Sequence, residues 1–330
     1  MITAHIVRDG TLYTGAANPD HLPPDAVWID LCNPDRGEEQ RLEQALGLSL
    51  PTHADMIEIE ESSRVSKARD ALYMTVVAVC RSDSHDPTTV PITFVLTPAR
   101  LLTVRYDTPQ SLKIFKSQCD RQQVQVESAT DVLLAIWDTM VDRLADIIER
   151  IGADLDVLSR EIFRYSRPGQ PGSRRRKPRR PLEAVLSDVG HSQDVVFRIR
   201  ESLQSLDRVV AFARVNLHTG DTAFGPATGL EALERDLRSL HEYTVDLINK
   251  VQFMLDATVG LIGIQQNAII KIISIVSVVL TPPTLVASIY GMNFQHMPEL
   301  GWNLGYPYAL GLMAATAILP YLFFKWRGWL

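Results

Sequence analysis

Between Ile272 and Ile289, and again between Tyr306 and Phe324, the chain carries no charged side chain. The first run, IISIVSVVLTPPTLVASI, has 18 residues and the second, YPYALGLMAATAILPYLFF, has 19. Each is about the length a helix needs to cross roughly 30 Å of hydrocarbon at about 1.5 Å per residue. No Lys or Arg occurs between Lys271 and Lys325, whereas Lys271 flanks one run and Lys325 and Arg327 flank the other. By the positive-inside rule both ends are expected in the cytoplasm and the short connection outside. Tyr290, Phe294, Trp302, Tyr306, Tyr308, Trp326 and Trp329 fall at the two expected interfaces, where amphipathic rings belong. A buried hairpin in a large soluble core is the competing reading, and it leaves this distribution of charge unexplained. One hairpin encloses no aqueous path, so conduction through it requires several copies around an axis.

The rest of the chain is mixed and charge-rich. Its net charge of −6 lacks the basic footprint of a nucleic-acid binder. Cys32, Cys80 and Cys119 have no CxxC spacing, which favours buried thiols in a reducing compartment over disulfides or zinc. The segment Met1-Ile2-Thr3-Ala4-His5 has neither the basic nor the apolar region of a signal peptide. No nucleophile–base pair, phosphate loop or clustered metal ligands stands out around the eight histidines, so neither an enzyme nor an organic cofactor is expected.

Within the first span, Ser274, Ser277, Thr281, Thr284 and Ser288 are separated by alternating threes and fours and therefore form one stripe. Hydroxyls on a lipid-facing surface are out of place; on a pore-lining helix they are expected. Pro282-Pro283 removes two backbone donors, and the freed carbonyls need water or neighbouring helices. A merely kinked span is the alternative. Upstream, Leu230, Leu233, Leu237, Leu240, Thr244, Leu247, Val251, Met254, Thr258 and Leu261 keep a heptad seam. If unbroken to Thr281, this stalk helix is roughly 75–80 Å long; two helices broken near Gly260–Gly263 are the alternative. Asn267 would then face the axis at the cytoplasmic end of the pore.

Two amphipathic stretches precede the stalk, Asp131 to Tyr165 and Pro181 to Leu217, and should pair as an antiparallel hairpin. Their connection concentrates Arg174, Arg175, Arg176, Lys177, Arg179 and Arg180. This is either a solvated loop tip or a patch for anionic headgroups. The first 125 or so residues read as α/β. Short strands are expected at Ile2–Arg8, Ala26–Leu31, Ala71–Val79, Val90–Leu96 and Leu101–Arg105, with helices at Asp35–Leu46 and from Pro109 through Cys119.

Tyr290-Gly291-Met292-Asn293-Phe294 directly follows the proline-containing span and is followed by Met297-Pro298-Glu299-Leu300, Trp302, Gly305-Tyr306 and the second span. This arrangement closely resembles the CorA family of magnesium transporters, whose signature is GMN at this place. Trp28-Ile29-Asp30-Leu31, the acidic helix after it, His53, Arg64, Lys67 and Tyr73 extend the resemblance to the start of the chain. The resemblance implies a cytoplasmic α/β domain, a long helical stalk or funnel, and a two-helix transmembrane hairpin, assembled as a homopentameric channel. It implies a multi-pass protein of the inner membrane, with Mg²⁺ as cargo and as regulatory ligand. Carried over by position, Gly291, Met292 and Asn293 form the selectivity filter, and Asn267, Ile270, Ile273, Ser274, Ser277, Thr281 and Thr284 line the pore, with Ser288 continuing the stripe. Ile270, Ile273 and Leu280 could dewet a closed pore; Thr281 is smaller and more polar than the family's large hydrophobe there, which moves the expected gate. Regulatory Mg²⁺ would fall to Asp83 and Asp86, with His85 between them, or to Glu231, Glu234 and Asp236, because oxygen-only sites suit this ion.

The expected division is residues 1–125 for the cytoplasmic α/β domain, 126–225 for the helical hairpin and 226–267 for the stalk. Residues 268–289 form the first span, 290–305 the outer loop, 306–326 the second span and 327–330 a cytoplasmic tail. Two rival functions keep this architecture. One is zinc transport, as in the related ZntB branch, with Co²⁺ or Ni²⁺ passage open to either branch. The other is a membrane-tethered metal sensor that conducts nothing.

Overall fold

The computed structural model describes all residues except 19–20, 58–63, 69, 85, 166–179, 219–223, 225–228, 294–296 and 330. The chain divides into two units, Met1–Leu255 and Asp256–Leu330.

In the first unit, runs rich in Val, Ile and Thr form seven strands: β1 Ile2–Arg8, β2 Thr11–Ala16, β3 Ala26–Cys32, β4 Val65–Ala68, β5 Ala71–Cys80, β6 Thr88–Leu96 and β7 Leu101–Arg105. Such residues suit a pleated, half-buried surface. They make one sheet in the order β2-β1-β3-β7-β6-β5-β4. All neighbours are antiparallel except β3 and β7, which run parallel with Trp28 opposite Leu101. The expected strands are present; β2 and β4 had no counterpart in the sequence reading. The β1–β2 turn is Asp9-Gly10, both with positive φ (50° and 75°), the conformation a tight two-residue hairpin needs.

Helices cover this sheet. α1, Arg36–Leu46, starts behind Asp35, whose carboxylate accepts from the Glu38 N–H at 2.7 Å while the Glu38 carboxylate accepts from the Asp35 N–H at 3.1 Å. That reciprocal cap satisfies donors the helix would otherwise leave open. A short α2, His53–Ile57, follows, and α3 spans Gln110–Asp120. The two long amphipathic helices are α4, Ala129–Tyr165, and α5, Leu182–His218, which pack on one another. The apolar periodic positions, from Val132 to Leu158 on α4 and from Val185 to Ala213 on α5, are buried. α5 also lies on β5. β4 pairs only with Ala71–Met74, and beyond that stretch the buried N–H of Val77 donates to the Ser205 hydroxyl of α5 at 2.9 Å.

α6, Leu230–Tyr290, is one helix of 61 residues running through Gly260, Gly263 and both prolines, so the broken alternative is not what forms. Its heptad seam is the buried side. Leu230, Leu233, Leu237, Thr244, Leu247, Val251, Met254 and Thr258 are buried, and Leu240 and Leu261 half-buried. Within the first unit Lys250 pairs with Asp156 of α4 at 2.7 Å, and Glu234 with Arg214 of α5 at 3.0 Å. In the second unit, α7 spans Gly305–Trp326 behind a 3-10 turn at Pro298–Gly301.

Candidate functional site

The second half of α6 and all of α7 are long and apolar enough to cross a membrane, with 18-residue windows of mean hydropathy 2.1 and 1.5 of which only 6% is buried. On α6 the burial is one-sided. Ile275 is buried, and Val279, Pro282, Pro283, Val286 and Tyr290 are half-buried, three or four residues apart. Asn267, Ile270, Ile273, Ser274, Ser277, Leu280, Thr281, Thr284 and Ser288 are all exposed. At about 100° per residue, this set lies roughly opposite Ile275. The prolines therefore occupy the covered side, and the hydroxyl stripe the open one.

The stripe is polar without being charged. The Thr284 hydroxyl donates to the Leu280 carbonyl at 2.8 Å, which leaves its oxygen an acceptor for anything outside the helix. α6 ends at Tyr290, and Gly291-Met292-Asn293 turns off its last carbonyls: the Gly291 N–H donates to Ala287 at 2.9 Å and the Met292 N–H to Ile289 at 3.2 Å. Gly291, Met292 and Asn293 are exposed. The motif thus follows directly on the helix that carries the stripe. The turn between the two spans is closed by Gly305, where any Cβ would overlap the Glu299 carbonyl. At the opposite end Lys271 lies 5.5 Å from the Trp329 ring, which stacks on Phe324. Trp302, Tyr306, Tyr308, Trp326 and Trp329 are exposed, while Phe294 lies outside the described residues.

The five candidate regulatory carboxylates are spread out. Asp83 and Asp86 sit in the β5–β6 turn, with His85 outside the described residues. Asp83 is ion-paired with Arg150 and, at 3.6 Å, with Arg143 of α4. Glu234 is held by Arg214, and Glu231 is exposed in the first turn of α6. Asp236 instead joins an acidic neighbourhood on α4. Burial raises the pKa of Asp138, and Asp142 and Asp236 raise it further; burial likewise raises that of Asp142, helped by Asp146 and Asp236. Among the described residues no group of three or more His, Cys, Asp or Glu side chains is arranged to hold a metal. Of the basic patch, Arg180 pairs with Asp188 at 2.7 Å; Arg174, Arg175, Arg176, Lys177 and Arg179 lie outside the described residues.

Sequence reasoning did not foresee the buried ion network of the sheet. Asp30, 1% exposed, accepts two bonds from Arg105 at 2.9 Å, one from Lys116 at 2.7 Å and one from the Thr103 hydroxyl at 2.7 Å. Burial opposes its charge, but Arg105 and Lys116 prevail and bring its pKa down to about 2. Trp28 donates to Thr103 at 3.1 Å and stacks on His5 with centroids 3.9 Å apart. Burial of the imidazole, with Lys116 nearby, brings His5 down to about 4. The signal available was two charged or ionisable residues, His5 and Asp30, inside otherwise apolar strand runs.

A sheet unit joined by one long helix to a pair of spans, with a neutral polar motif at the turn between them, defines a two-span integral membrane protein. The family of CorA-like Mg²⁺ transporter proteins matches residues 24–326. A magnesium transport protein CorA from Pasteurella multocida is 34% identical over 333 residues, covering 100% of both chains. Another from Yersinia pseudotuberculosis is 35% identical over 308 residues and covers 92% of each. The chain belongs to the CorA family. The fold is shared with the complete structure of the CorA magnesium transporter from Methanocaldococcus jannaschii, with a TM-score of 0.71 at 19% identity over 100% of this chain and 99% of that one. It is also shared with the full-length CmaX protein, at a TM-score of 0.65 and 14% identity, covering 98% and 96%.

Proposed function

We propose that this chain is one subunit of a homopentameric channel that passes hydrated Mg²⁺ across the inner membrane, with both termini in the cytoplasm. The observation that carries the reading is the exposed, uncharged stripe from Asn267 to Ser288, with exposed Gly291-Met292-Asn293 directly after the C-terminal end of that helix. Mg²⁺ gives up water reluctantly, and the waters it keeps present O–H donors. Amide, carbonyl and hydroxyl oxygens accept from those waters without replacing them, whereas a ring of carboxylates would hold the ion too tightly for release. Asn293, with Gly291 and Met292, is the selecting entrance; Ile270, Ile273 and Leu280 form the dewetting constriction. Co²⁺ and Ni²⁺ of similar hydrated size pass by the same route. Lys271, Lys325 and Arg327 support the orientation.

Closure by cytoplasmic Mg²⁺ belongs to the same reading. Among Asp83, Asp86, Glu231, Glu234 and Asp236, the one favoured is Asp236, which faces Asp138 and Asp142; the three are not arranged as a metal cage, so a divalent cation would have to draw them together. Asp83 and Glu234 already have arginine partners.

Flux into liposomes holding the purified protein, measured for Mg²⁺ against Zn²⁺ with and without a proton gradient, tests the cargo. Mg²⁺ entry without a gradient is expected; zinc uptake with no magnesium flux would reassign the ion, and no flux of either would leave a sensor. Asn293→Ala is expected to bring Mg²⁺ flux to background while the oligomer survives gel filtration. Unchanged flux would refute the filter assignment.

A further inference from the structure

The first unit contains a cleft of about 250 Å³ that takes no part in the membrane path. It opens where β5 ends, where β7 gives way to α3, and beside α4; its charged and polar lining is Arg81, Asp83, Asp107, Gln110, Lys113 and Arg143. Three elements therefore each contribute one cation. Arg81 follows β5 and is held at φ 55°, a left-handed backbone rare outside glycine and asparagine. Such conformations are disfavoured for a residue with a Cβ and concentrate at ligand clamps and other functional positions.

The cations have capacity to spare. Among the described residues, neither the Arg81 guanidinium nor the Lys113 ammonium has a hydrogen-bond or ion-pair partner, and both are exposed to the cleft. Arg143 reaches Asp83 at 3.6 Å and the Ser82 hydroxyl at 3.5 Å, both long, and its Nε is buried with no partner. The carboxylates are better served. Asp83 has Arg150 as well, and Asp107 accepts from the Thr108 N–H at 2.6 Å. α3 begins at Gln110 behind Pro109 with no side-chain cap, so first-turn N–H groups are left as donors at the same edge. The Cys80 thiol feels Asp107, Arg81 and Lys113 together, which sets the three charges about one point. Burial pushes that thiol up to about 11, so it contributes bulk and not nucleophilicity.

A surplus of guanidinium and ammonium donors with free N–H groups matches a compact anion with several acceptor oxygens. We propose that this cleft binds a phosphate group, through Arg81, Lys113 and Arg143. The same chemistry is offered by inorganic phosphate and by a phosphomonoester. A second, shallower hollow of about 390 Å³ shares Gln110 and Lys113 and continues along α3 past Ser117, Gln118, Arg121 and Gln123. Its hydrogen-bonding lining, in which Arg121 adds a further cation to Lys113, suits the polar body of a phosphomonoester.

The experiment is a calorimetric titration of the detergent-solubilised full chain at constant ionic strength, with inorganic phosphate, adenosine monophosphate and adenosine as probes. Saturable binding of the two phosphate-bearing probes, and none of adenosine, is expected. Arg81→Asn, which tolerates the left-handed backbone, and Lys113→Gln on the exposed face of α3 should each weaken it about tenfold. Asp107→Asn should tighten it, whereas Arg36→Gln, an equal loss of charge on α1, should leave it alone. Equal affinity for the two probes would mean that the cleft reads free phosphate. Tighter adenosine monophosphate, reduced by Gln118→Ala, would mean that the hollow holds the attached body. No saturation by about 10 mM of either probe, equal weakening by Arg36→Gln, or weakening by Asp107→Asn would overturn the proposal.

Discussion

The two units treat polar groups in opposite ways. In the sheet, Asp30 is buried and receives donors from Arg105, Lys116 and Thr103 within its own chain. On α6, Asn267, Ser274, Ser277, Thr281 and Ser288 are exposed among equally exposed Ile270, Ile273 and Leu280. The Asp30 cluster thus completes its own chemistry, whereas the spans present polar and apolar surfaces left to be satisfied from outside the chain. Substitutions in the first should act through folding. Those in the second should act through flux with the sheet intact.

The largest effect expected on the folding side is that of Asp30→Asn, which leaves Arg105 and Lys116 facing a neutral partner. Breaking a buried pair from one side costs about 3–5 kcal/mol, read as a lower thermal midpoint. A midpoint unchanged by the substitution would break the contrast between the units. Acid comes next. His5 titrates at about 4 in the fold against 6.5 in an unfolded chain, so the unfolded state binds a proton first as pH falls. Stability should decline from pH 6.5 to about 4, by about 3 kcal/mol. The shift of Asp30 to about 2 adds a further loss below its ordinary 3.8. Thermal midpoints across pH, for the parent and for His5→Phe, check this; the upper part of the slope should vanish in the variant.

Gly305→Ala sharpens the other side of the comparison. The added methyl must displace the Glu299 backbone, and Mg²⁺ flux is expected to fall several-fold while the sheet melts as before. A common loss of flux and melting temperature would show the two units to be less separable than drawn. The smallest effect is that of Asp35→Ala, which removes the α1 cap and should cost about 1 kcal/mol, measurable as a small shift in midpoint with flux unchanged.

Much of the architecture was legible because it is periodic. The seam from Leu230 to Thr258 and the apolar positions of α4 and α5 each follow a repeat that burial imposes and lie on the buried side, while the two charge-free runs are legible by length and composition. β2 escaped because its exposed residues carry little apolar signal, yet Asp9-Gly10 marks its hairpin directly. β4 has only four residues, mostly exposed, and takes its place from β5. The hydroxyl stripe could be read off spacing alone. The partners of Asp83, Glu234 and Asp30 could not, since Arg150, Arg214 and Arg105 lie far along the chain and meet them only through folding.

One bond in the sheet has a use of its own. The Val77 amide is buried in β5 but answers to Ser205 of α5 instead of a neighbouring strand. Its exchange with deuterated water therefore reports the lifting of α5 from the sheet, while neighbouring amides held in the ladder report strand separation. A single backbone position thereby acts as a clock for helix docking. Ser205→Ala should make that clock run fast and leave the rest of the strand keeping its own time.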